Sequence, residues 1–155
     1  MNLIKLIDDC LAVIDGTLPL KEAAANQGVT AVFPHAHETK TLCDAFLAIY
    51  YCLPCSASMT DFIDLLKHVE EDDAVTKYPK YFCQQEDSPN TRDALIEFVT
   101  TSIAAELLIS PYGGCNWKNI DTVRNSGFAV FAGEKDSFGW LTGCISTNKG
   151  IFVYG

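Results

Sequence analysis

The sequence predicts an α+β fold, in which an N-terminal helical part packs on a small C-terminal antiparallel β-meander. Two observations lead to this prediction. Residues 1–110 carry 17 acidic and 7 basic side chains, a net charge of −10. Residues 111–155 carry 3 acidic and 4 basic side chains, a net charge of +1. The same boundary separates helix-period apolar spacing from short alternating apolar runs rich in glycine. With 155 residues and 48% apolar content, we expect a single α+β domain over 1–155.

The first helix is predicted where apolar residues recur at helical spacing from Leu3 to Ile14, and Gly16 ends it. A second, short helix is expected between Thr17, its N-cap, and Gly28. Residues 29–33 then fit a single strand.

Two amphipathic helices follow. One carries an apolar face over residues 42–53 and ends at Pro54, which cannot continue a helix. The next begins at Ser58, which forms the pattern of a capping box with Asp61. Its inner face is predicted to consist of Phe62, Leu65, Leu66 and Val69.

A long loop is expected over residues 72–90, and the longest helix follows over roughly 91–109. Pro111 and the glycines after it end that helix. In the remaining chain, short alternating apolar runs predict three strands joined by turns, at residues 127–132, 138–146 and 151–154.

The acidity of the chain limits the kind of partner it can bind. A net charge of −9 argues against direct binding to duplex nucleic acid, because phosphate contacts require lysine and arginine. It argues equally against docking on an anionic membrane surface. A basic protein partner is compatible with this charge.

Cysteine usage indicates the compartment. The chain has seven cysteines, an odd number, and several of them fall on apolar stripes, where a free thiol packs as a small hydrophobe. Lys5, Asp8 and Asp9 interrupt any apolar secretion signal near the start. We therefore expect a reduced, cytoplasmic protein.

The string Cys52-Leu53-Pro54-Cys55 resembles the redox tetrapeptide of the thioredoxin family, over these four residues. The resemblance implies thiol–disulfide chemistry, in which a helix N-terminus activates the first cysteine. The apolar spacing before Cys52 has a helical period, which places the string at the C-terminal end of a helix instead.

Two further chemistries can be assembled from the cysteines. The residues available for a zinc site are His35, His37, Cys52, Cys55, Cys83 and Cys115. The Cys-x-x-Cys spacing supplies half of such a site, and no second pair of that kind completes it. Cys115 lies in a glycine-rich turn, as some nucleophilic thiols do, but the glycines also fit a helix-to-strand transition. We therefore assign no metal, no cofactor and no catalytic residue.

Acidic residues concentrate at the expected end of the fourth helix, where the helix dipole disfavours negative charge by roughly 0.3–1 kcal/mol per group. A loop with two tyrosines follows, and its composition is typical of interfaces. The competing explanation is a solvated helix end with aromatic residues folded back on the core. The predicted acidic surface consists of Asp61, Asp64, Glu70, Glu71, Asp72, Asp73, Tyr78 and Tyr81.

Glu106 is a separate candidate. At about 100° per residue it lies about 20° from Val99 around the helix, among apolar positions. An unpaired carboxylate is costly there. We therefore expect a buried acid engaged by a cationic or hydrogen-bonding partner, such as Arg124 or Lys118.

We expect a small acidic protein that binds and inhibits or neutralises a basic macromolecular partner, such as a nucleic-acid enzyme or toxin, in the manner of an immunity-type protein. One alternative is a thiol-dependent oxidoreductase or hydrolase that uses Cys52 and Cys55. Another is a subunit whose acidity is incidental. The sequence leaves the oligomeric state open.

Overall fold

The computed structural model describes residues 1–30, 41–73, 91–135, 137 and 141–155. Within these ranges six helices precede a three-stranded antiparallel sheet of order β1-β2-β3, which confirms the predicted α+β class. The helices are α1 (Leu3–Ile14), α2 (Leu20–Asn26), α3 (Leu42–Tyr50), α4 (Met59–Glu71), α5 (Arg92–Leu108) and α6 (Trp117–Asn125). The strands are β1 (Ala129–Lys135), β2 (Leu141–Thr147) and β3 (Gly150–Tyr154).

The described residues form two compact units. The first contains α1, α2, α3 and the beginning of α5, and the second contains α4, the rest of α5, α6 and the sheet. The prediction that residues 1–155 form a single domain stays a prediction.

Helix α1 organises the first unit. Its apolar face is buried against α2 and α3, because Leu3, Leu6, Ile7 and Cys10 recur on one side. The Arg92 guanidinium also pairs with Asp8 of α1 at 3.1 Å. Gly16 follows the helix with a φ of 77°, a conformation that favours glycine, and α1 therefore ends where the sequence predicts.

Helix α4 begins with the predicted capping box. The Asp61 amide donates to the Ser58 hydroxyl at 3.2 Å, and the Ser58 amide donates to the Asp61 carboxylate at 2.7 Å. Two amides of the first turn are thereby satisfied. The predicted inner face is confirmed, since its four residues are at most 1% exposed: Phe62, Leu65, Leu66 and Val69.

The sheet is held in register by a tyrosine that crosses the middle strand. Tyr154 lies opposite Gly143, and its hydroxyl donates to the Phe131 carbonyl of β1 at 3.3 Å. A Cβ on Gly143 would overlap both that carbonyl and the Tyr154 ring. Burial raises the pKa of Tyr154 to about 12, with the thiols of Cys115 and Cys144 adding to the rise, so this hydroxyl keeps its proton and remains a donor.

Several element boundaries differ from the sequence prediction. Helix α3 ends at Tyr50, three residues before the predicted end at 53, and a turn starts at Tyr51. Proline disfavours the helical conformation in the residue before it, so Pro54 acts on Leu53 as well as on itself. Helix α6 was not predicted at all; the Asn116 side chain caps it by accepting a hydrogen bond from the Asn119 amide. The predicted strand at 29–33 and the loop at 72–90 fall mostly outside the described residues.

Candidate functional site

The acidic end of α4 contacts the turn between β2 and β3. The Glu70 carboxylate accepts a hydrogen bond from the Asn148 amide at 3.1 Å. The Lys149 ammonium lies 3.9 Å from the Asp73 carboxylate. An amide donor and a cation are therefore placed where the helix dipole is negative, and they offset the repulsion that the acidic residues experience.

A third acidic residue of this run is paired within its own helix end. The Asp72 carboxylate lies 3.0 Å from Nε2 of His68, one turn earlier. The Asp72 amide donates to the His68 carbonyl at 2.8 Å. The unusual position of the acidic run thus has an intramolecular explanation, and the dipole argument alone does not require an external partner.

Asp61 has a structural role in the capping box. Partial burial acts to raise the pKa of this carboxyl, but the hydrogen bonds from the Ser58 amide and hydroxyl outweigh it and hold the pKa below its usual range. Asp61 is therefore ionised at neutral pH, and its charge stabilises the start of α4.

Other members of the predicted acidic surface remain open to solvent. Asp64 and Glu71 are exposed, and they lie seven residues apart on the same side of α4. Asp73 is fully exposed despite its distant pairing with Lys149. Tyr78 and Tyr81 lie outside the described residues, so the aromatic half of the predicted surface is not placed.

The prediction that Glu106 is buried is wrong. Its side chain is exposed, although the helix projection places it close to Val99, which is fully buried. A helical projection removes the axial coordinate, and seven residues advance about 10 Å along a helix, so two residues at nearly the same angle can have different surroundings. The buried acid of α5 is Glu97, which is 6% exposed and which the sequence analysis missed.

The two cysteines of the tetrapeptide follow the C-terminal end of α3, where the helical spacing predicted them. Cys52 is half-buried and Cys55 is exposed. The Tyr50 hydroxyl accepts a hydrogen bond from the Ala57 amide at 3.3 Å and so closes the loop that contains both thiols. Neither thiol lies at the N-terminus of a described helix, the position that stabilises a thiolate in the family it resembles.

The remaining chemical candidates are only partly described. Among the residues that the structure places, no group of three or more His, Cys, Asp or Glu side chains could hold a metal ion. His35, His37 and Cys83 lie outside this part of the chain. Cys115 is half-buried and lies in the turn that joins α5 to α6. Its backbone forms an isolated antiparallel β-bridge with Ile109.

Helix α6 and strand β1 each expose an aromatic side chain that the sequence analysis did not identify. Trp117 is 56% exposed and Phe131 is 64% exposed. The Arg124 guanidinium lies 5.9 Å from the Trp117 ring and donates to the Val130 carbonyl at 2.9 Å. Recognition of Asn116 as an N-cap would have predicted α6, and with it the helical spacing of Trp117 and Arg124.

No protein-family model, curated protein or solved structure matches this chain. Among the described helices, none has the length and apolar character needed to cross a membrane.

Proposed function

We propose that this protein binds a basic macromolecular partner, such as a nucleic-acid enzyme or toxin, and inhibits or neutralises it. The observation that carries the proposal is the exposure of three carboxylates along α4 and just beyond its end: Asp64, Glu71 and Asp73. Lys67 is also exposed on this helix, and the group retains a net negative charge.

The charge of the whole chain supports the same kind of partner. Residues 1–110 carry a net charge of −10, so a cation approaches an attractive field before any contact forms. Electrostatic steering of this kind mainly raises the association rate, and dissolved salt screens it over about 10 Å at 0.1 M ionic strength. The proposal therefore predicts binding whose association rate falls steeply with salt.

We place this interaction in the cytoplasm. All six cysteines in the described part of the chain are free thiols. Reducing compartments such as the cytoplasm maintain thiols in this state. The proposal invokes no cofactor and no metal.

The experiment measures association rates with a panel of purified basic ribonucleases and deoxyribonucleases at several salt concentrations. The test variant is Asp64→Lys/Glu71→Lys, and the matched control is Asp15→Lys/Glu22→Lys. All four positions are exposed, and each variant changes the net charge by the same amount. The control therefore removes the effect of overall charge.

We expect the test variant to bind the responsive enzyme more slowly than the control, and its rate to depend less on salt. Equal slowing by both variants would mean that the surface on α4 has no special role. If the parent protein neither binds nor inhibits any enzyme in the panel at low salt, the proposed function is wrong.

A further inference from the structure

We draw no further inference here: the strongest candidate, the face of the sheet on which the exposed Phe131 lies beside Cys144 and Val153 of the neighbouring strands, carries nothing because the part of the chain that the structure describes does not show what covers this face.

Discussion

An alanine at position 143 would bring its Cβ against two groups of the sheet at once. One is the Phe131 carbonyl, which belongs to the ladder between β1 and β2, and the other is the Tyr154 ring, whose Cζ would lie only 2.5 Å away. The carbonyl cannot retreat without separating the strands. The ring must therefore move, and it is 3% exposed in the native structure.

The cost of this displacement has three parts. Overpacking a well-filled site typically costs about 1–3 kcal/mol. Loss of the hydrogen bond from Tyr154 to the Phe131 carbonyl adds about 0.5–1.5 kcal/mol. In the opposite direction, replacing a strand glycine by alanine stabilises the folded state by roughly 0.5–1 kcal/mol, because less backbone entropy is lost on folding. We therefore expect Gly143→Ala to lower the free energy of unfolding by about 0.5–4 kcal/mol.

Urea unfolding followed by circular dichroism measures this difference as a change in midpoint at constant slope. The matched control is Gly114→Ala, because a Cβ there meets nothing within 4 Å and the backbone does not require glycine. That variant should be neutral or more stable by up to about 1 kcal/mol. Tyr154→Phe should cost only the hydrogen bond. A Gly143→Ala protein as stable as Gly114→Ala would refute the argument that the tyrosine ring fills this space.

Three further outcomes follow from the electrostatics and the packing. The pKa of Asp61 is lower in the folded than in the unfolded protein, so its ionised carboxylate stabilises the fold. This stabilisation is complete above the ordinary pKa range of aspartate and is lost as the pH falls through the pKa of the folded state. Asp61→Asn should therefore reduce the loss of stability between pH 7 and pH 3, measured by urea unfolding. Burial, with Asp9 and Cys43 nearby, raises the pKa of Cys10 to about 12, so iodoacetamide at pH 8 should alkylate it far more slowly than the exposed Cys55 in native protein, as mass spectrometry would reveal. Arg124→Ala should cost about 1–2 kcal/mol in thermal unfolding, since it removes both the ring contact and the bond to β1.

The elements that sequence analysis predicts well are those with a local cause. Helix α1 runs over its predicted apolar repeat, and α4 begins at its predicted cap, because periodicity and capping are decided by residues within four positions of one another. Helix α6 was missed because it is only nine residues long and buries only Ile120 and Val123, so its apolar repeat is too short to be recognised.

The functional residues depend on contacts between distant parts of the chain, and here the sequence is a poorer guide. The acidic run at the end of α4 has an unfavourable position when only its own helix is considered. Its hydrogen bond from Asn148 bridges 78 residues of sequence, and no local pattern contains that information. On α5, Glu106 was expected to be buried and Glu97 was overlooked, because this helix has apolar residues on several sides and its projection does not define one buried face.

The long sequence separation between Glu70 and Asn148 also bears on the order in which the second unit folds. Helix α4 and the β2–β3 hairpin can each form from neighbouring residues, whereas joining them requires closure of a long loop whose entropic cost grows with its length. We expect this junction to form after the folding transition state. Glu70→Ala should then accelerate unfolding and leave the refolding rate nearly unchanged, which stopped-flow measurements over a range of urea concentrations would resolve. The acidic end of α4 would in that case slow unfolding of the native protein without contributing to the folding nucleus.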